Sequence, residues 1–215
     1  MKKILSILLF ALLSFSIITV PYETYAVESA FVYRDSCSKE AENLRAQGRR
    51  FWIEHVFWTR DFIKSDLSNL EDKSDVLNRL LKNQEDIGNL IKPYYGAENS
   101  KKLTELLKEH ISLAGQVVDA AKSGNKEDLD KYNKLWHKNA DDIAKFLSSI
   151  NPQWSEKELK DMLYKHLDFI TTQVTNRLNS NWAGDIDAFD KGEEHIIKLA
   201  DIISNGIIKQ FPNKF

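Results

Sequence analysis

The sequence is short of the residues that punctuate a chain: four prolines, eight glycines and a single cysteine in 215 residues. One cysteine, Cys37, excludes an internal disulfide, so the fold must hold by packing alone. It leaves open a free thiol or an intermolecular bridge to an envelope partner. Scarce Pro and Gly argue against a turn-rich β architecture and for long helices, and no segment alternates apolar and polar residues with strand period. There is no Gly-rich phosphate loop. No serine or cysteine stands in a recognisable nucleophile setting, which argues against a hydrolase. An excess of positive charge is also missing. The whole chain carries 30 basic and 32 acidic residues with the signs interleaved, whereas a nucleic-acid partner calls for a basic face.

One long apolar run is present, at the start. Lys2 and Lys3 precede the uncharged stretch Ile4 to Val20, and Thr24-Tyr25-Ala26 offers small residues at a cleavage point before Val27. This is the pattern of a secretory signal peptide over 1–26, with an uncleaved N-terminal anchor as the alternative. Residues 27–215 then form one domain, secreted or held in the cell envelope, with no later stretch apolar enough to cross a membrane. That length is enough to bury a sizeable core.

From Ser38 onward apolar residues recur every three or four positions. The pattern predicts six helices. The first passes through Phe51, His55, Trp58 and Phe62 to about Leu70, and the second starts after Ser74 and breaks at Pro93-Tyr94-Tyr95-Gly96. The third runs from Ser100 to Ala121, with Gly124 as C-cap. The fourth ends at Asn151-Pro152, the fifth opens on the capping box Ser155-Glu156-Lys157-Glu158, and the sixth closes at Phe211-Pro212. The class is all-α, an antiparallel helical bundle. The five tryptophans, Trp154 and Trp182 among them, read as packing aromatics at the core and bundle ends more than as a carbohydrate platform.

What organises the chain is a histidine set in an apolar helical stripe, three times over. His55, His110 and His166 stand 55 and 56 residues apart. The returning helices echo this: Asn83-Gln84-Glu85-Asp86-Ile87-Gly88 and Asn139-Ala140-Asp141-Asp142-Ile143-Ala144 share Asn-x-x-Asp-Ile-small at a spacing of 56, and a third copy puts His195 where asparagine stood. Three repeated helical hairpins of about 55 residues follow from this reading. Each histidine lies 28 or 29 residues before its returning partner with the turn midway. At ~1.5 Å of rise per residue the chain comes back to the same height. His55, Asn83, His110, Asn139, His166 and His195 are therefore expected in one layer, facing inward.

Buried imidazoles must find partners, because an unpaired polar group in a core costs roughly 1–3 kcal/mol. Two readings satisfy them. In one, His55, His110, His166 and His195 bind a transition metal, with Asn83 and Asn139 behind them or as additional ligands; neutral imidazole is a common ligand, and helical bundles host such sites. In the other, the layer is a hydrogen-bonded network that fixes helix register, in a structural or interaction protein of the envelope or spore surface. No HExxH or Glu-x-x-His pattern supplies a carboxylate ligand. His137 falls on a solvated face, and Arg60 is expected to pair with a carboxylate on a neighbouring helix.

The segments His55-Val56-Phe57-Trp58-Thr59-Arg60, Pro93-Tyr94-Tyr95-Gly96, Ile150-Asn151-Pro152-Gln153-Trp154 and Gly206-Ile207-Ile208-Lys209-Gln210-Phe211 together resemble a poorly characterised family of small exported all-helical proteins from Gram-positive spore-forming bacteria. The resemblance covers nearly all of the mature chain. Members often carry automatic labels of acetylglutamate kinase or glycosyltransferase. Both activities need an α/β nucleotide-binding sheet, which this sequence does not predict. The resemblance supplies no catalytic residues.

Overall fold

The structure, a computed structural model, describes residues 38–215. The expected signal peptide, its cleavage point and Cys37 lie outside the described residues. Five α-helices and no strand occur among them: α1 (Lys39–Leu67), α2 (Lys73–Ser123), α3 (Lys126–Ile150), α4 (Glu156–Leu178) and α5 (Trp182–Gln210), followed by a 3₁₀ turn at Pro212–Lys214. None of these helices is long and apolar enough to cross a membrane.

Local chemistry sets most of the boundaries. Ser38 opens α1 by accepting from the Ala41 N–H at 3.0 Å, and Asn125 and Ser155 cap α3 and α4 in the same way. These side-chain oxygens satisfy amides that a helix leaves unpaired at its start. At the other end of α2, Gly124 takes the left-handed conformation (φ 70°, ψ 15°). Without a Cβ it does so at no steric cost. The second helix was expected to start after Ser74; instead it begins at Lys73 after Asp72, which makes no capping bond.

The break expected at Pro93–Gly96 takes an unexpected form. Two helical runs meet there across a kink, so that the 51 residues of α2 are two arms with no loop between them. Only Gly96 leaves helical dihedrals, at φ 82° and ψ 174°. Carbonyls exposed by the bend find side-chain donors: Asn99 Nδ2 reaches Tyr95 O at 2.9 Å and Lys214 Nζ reaches Pro93 O at 2.7 Å. On either side of Gly96 the two arms of α2 lie against each other. Lys108 pairs with Glu85 at 2.7 Å, and Gly88 sits so close to Thr104 that a Cβ there would fall 1.9 Å from its hydroxyl.

Neighbours in sequence pack as neighbours in space, and α5 closes the ring against α1. The core runs along the axis, with Ile63, Leu80, Ile91, Trp136, Ile143, Leu159, Leu167, Ile196 and Ile207 fully buried. At one end Tyr95, Trp154 and Phe211 pack ring to ring. Trp154 is buried there as expected, but Trp182 is 54% exposed at the start of α5 and closes nothing. The Arg60 guanidinium makes two 2.9 Å bonds to Asp185, and Arg177 adds a third at 2.9 Å. The expected Arg60 pair is thus a three-residue network around a buried carboxylate.

Candidate functional site: a buried histidine layer

Three helices deliver one imidazole each to the centre of the bundle. His55 comes from α1, His110 from the second arm of α2 and His166 from α4, all 2–4% exposed. The rings of His55 and His166 are 5.3 Å apart, and those of His110 and His166 are stacked at 6.2 Å. His137 lies outside, at the surface, over its own helix carbonyl at Asn133.

Asn83, Asn139 and His195 share one task. Asn83 Nδ2 donates to Phe51 O at 2.9 Å, Asn139 Nδ2 to Leu106 O at 3.1 Å and His195 Nε2 to Met162 O at 2.8 Å. Each acceptor is the residue four before a layer histidine. The half-buried His195 thus does an asparagine's work and turns its Nε2 away from the other rings.

The surrounding bonds fix the tautomers. Asn139 spends its amide hydrogens on Leu106 O and Glu109 Oε2, so its Oδ1 accepts from His110 Nδ1–H at 2.8 Å. His110 Nε2 then accepts the indole N–H of Trp136 at 3.1 Å. Gln84 Nε2 bonds Leu80 O at 2.8 Å with one hydrogen and shares the other between Asn83 Oδ1 at 3.1 Å and His55 Nδ1 at 3.3 Å. An amide nitrogen cannot accept, so His55 Nδ1 is the bare nitrogen. Its Nε2–H points at His166 Nε2, 3.3 Å away. The His166 proton therefore sits on Nδ1, which is buried and has no partner among the described residues; the same holds for Gln84 Oε1.

The lone pairs of His55, His110 and His166 thus each face an N–H of the protein. This bears directly on the expected metal set of His55, His110, His166 and His195 with Asn83 and Asn139. A ligating nitrogen must offer its lone pair to the ion, and here His55 offers its to Gln84, His166 to His55 and His110 to Trp136. His195 stands apart on Met162 O. Among the described residues no group of three or more His, Cys, Asp or Glu is placed to hold a metal ion. The layer exists, but the structure does not bring the four histidines together as one coordination sphere.

Burial also keeps the rings neutral. It pushes His55 down to about 3 and His110 to about 4, with neighbouring imidazoles adding to the effect, and it holds His166 well below the ordinary value. One turn further along, Trp52, Leu107 and Leu163, each three residues before a layer histidine, line an apolar cavity of about 10 Å³. A space that size holds about one water at most, so it is a packing gap and not a ligand pocket.

Two functional partners escaped the sequence reading. Gln84 stands in the apolar series Leu80, Gln84, Ile87, Ile91, and a polar residue on such a stripe was the available signal. Trp136 was read as core, and nothing in its neighbours marks the indole N–H as the donor to His110. No protein-family model, curated protein or solved structure matches this chain.

Proposed function

We propose that this chain is an exported helical scaffold that acts through its surface on a partner in the cell envelope or on the spore surface. Its six helical arms form three copies of one hairpin, and the histidine layer sets their register. The observation that carries the reading is that each of the three buried imidazole lone pairs is occupied by a protein N–H. A hydrogen-bonded polar layer of this kind favours one alignment of the helices, because any shift by a turn would leave several buried groups unpaired. The three equivalent bonds from Asn83, Asn139 and His195 support the hairpin repeat. The n-region, apolar run and small residues of 1–26 support export, and Cys37 offers a thiol for a disulfide-linked partner.

A transition-metal centre for storage, sensing or redox chemistry is the other reading of the same rings. It would first require Gln84, Trp136 and the His55 N–H to turn away, leaving their own donors unpaired in the core. Metal content separates the two. Full chain purified without a His-tag and incubated with zinc or copper is expected to retain far less than one equivalent by mass spectrometry. His110→Ala and His166→Ala are expected to lose stability and no metal. Near-stoichiometric metal that disappears in both variants would overturn the scaffold reading.

A further inference from the structure

We propose that the histidine layer is an acid-release latch: a proton taken up by any of its three imidazoles breaks a bond that aligns the helices, and the bundle opens as one unit in mildly acidic surroundings. The inference rests on the hydrogen-bonded, metal-free reading of the layer given above.

The geometry leaves no place for an added proton. On His55 Nδ1 it would meet the Gln84 N–H at 3.3 Å. Gln84 cannot answer by flipping its amide, because its Nε2 is tied to Leu80 O and Asn83 Oδ1, and a flip would set Oε1 against both. On His110 Nε2 the proton would meet the Trp136 indole N–H at 3.1 Å. On His166 Nε2 it would meet His55 Nε2–H at 3.3 Å. Each case places two donors face to face and forces a ring or a helix to move. A second proton would then meet the charge of the first, since the rings lie 5.3 and 6.2 Å apart in a site screened from water.

No neighbouring element supplies a compensating anion. On α1, Glu54 is turned to Arg79 and Arg50. On α2, Glu109 accepts from Asn139. From α3 the layer meets Asn139, Trp136 and the imidazole of His137, and from α5 it meets His195. The Arg60–Asp185–Arg177 network is closed on itself. Among the described residues no carboxylate forms an ion pair with an imidazole of the layer.

The direction with pH follows. Above about 6.5 the imidazoles are neutral whether folded or not, and pH has no hold on them. Below it the unfolded chain takes up protons that the folded layer refuses, so stability falls as pH drops from about 6.5 toward the folded values of about 3 for His55 and about 4 for His110. Between pH 7.5 and 5 each of these two rings shifts the folding equilibrium by roughly 30-fold. Ordinary carboxylates protonate only near pH 4, so this window belongs to the histidines.

The test is urea unfolding of the full chain at pH 7.5, 6 and 5, followed by circular dichroism and tryptophan fluorescence, with the imidazole nitrogens observed by NMR. A folding constant that drops by roughly 10³-fold or more over this range, with the three layer rings staying neutral until the chain unfolds, is the expected result. His110→Gln should remove about one 30-fold step from the pH dependence, whatever its own stability at pH 7.5. A flat pH response, an unchanged slope in His110→Gln, or layer rings that take up protons one by one inside an intact bundle would each overturn the latch. Should His110→Gln not fold, the nitrogen shifts of the unaltered chain decide. Metal content measured on the same sample tests the scaffold reading separately: bound metal sinks that reading, whereas protonation within an intact, metal-free bundle sinks only the latch.

Discussion

The indole N–H of Trp136 on α3 lies 3.1 Å from Nε2 of His110 on α2, and it fills a nitrogen that would otherwise be bare in the core. Leu80 and Gly192 stand 56 residues to either side of Trp136, at the matching places of the proposed repeat. Only the middle copy, therefore, can serve its histidine with an indole. The first copy uses Gln84 on His55; Ala140 and Ile196, at the positions matching Gln84, offer nothing. The third copy has neither donor, and His166 turns to His55 instead. That exchange ties α4 to α1 directly, and it leaves His166 Nδ1 as an unpartnered buried donor. The three histidine stripes thus feed one asymmetric network.

Trp136→Phe keeps most of the apolar volume and removes the one N–H that His110 Nε2 accepts. It is expected to lower stability by about 1–3 kcal/mol, the cost of stranding a buried acceptor. Urea unfolding at pH 7.5 measures it. A loss under about 0.5 kcal/mol, within the range of an unremarkable substitution, would mean that the indole serves His110 as packing alone.

Asp185 is 1% exposed and faces Arg60 through two bonds and Arg177 through a third. Replacing it with alanine leaves two largely buried cations without their anion, which is expected to cost about 3–5 kcal/mol. Replacing Arg177 with leucine leaves the Arg60 pair intact and should cost clearly less. Thermal unfolding of the two variants side by side decides the order, and equal losses would contradict it.

Much of this architecture was legible in the sequence, and the residues say why. The stripes around His55, His110 and His166 carried helix period, and equal distances to the turns placed the rings at one height. Both follow from backbone geometry that side chains do not alter. The break at Pro93–Gly96 was legible as a break, but not as a kink at Gly96 that joins two helical runs with no loop between them. Its form depends on Asn99 and Lys214 reaching carbonyls that no periodicity identifies. Between the metal and the hydrogen-bonded readings, the sequence stops at the same level of detail. Spacing can bring nitrogens together, but which lone pair is spent depends on donors such as Trp136 and Gln84 arriving from other helices. The side of a ring that faces a partner is set by tertiary packing, and a one-dimensional pattern holds no trace of it.

Gly96 and Gly124 both have positive φ and both have open space where a Cβ would stand, with nothing within 4 Å. Any penalty for alanine is therefore one of backbone conformation. Gly124, at ψ 15°, is in the left-handed helical region, where a Cβ costs about 1–2 kcal/mol. Gly96, at ψ 174°, lies in a region that is essentially glycine's alone, with a cost at the upper end of about 1–3 kcal/mol. Gly96→Ala should thus destabilise the chain at least as much as Gly124→Ala, as judged by unfolding midpoints. The reverse order would mean that α2 can turn back on itself by another route.

His195 offers a test of the repeat itself. Its Nε2–H meets Met162 O at 2.8 Å, where Asn83 and Asn139 meet Phe51 O and Leu106 O with their amides. His195→Ala removes the donor and leaves Met162 O with its helical partner alone, for an expected loss of about 1 kcal/mol. His195→Asn restores the residue found in the other two copies. Its amide reaches less far than the imidazole, and it gives up the ring contact with Phe169 at 5.6 Å, so the rescue should be partial. The expected order of unfolding midpoints is unaltered chain, then His195→Asn, then His195→Ala. If asparagine proves no better than alanine, the shared hydrogen bond is a coincidence of helix packing, and the equivalence of the three hairpins loses its best physical support.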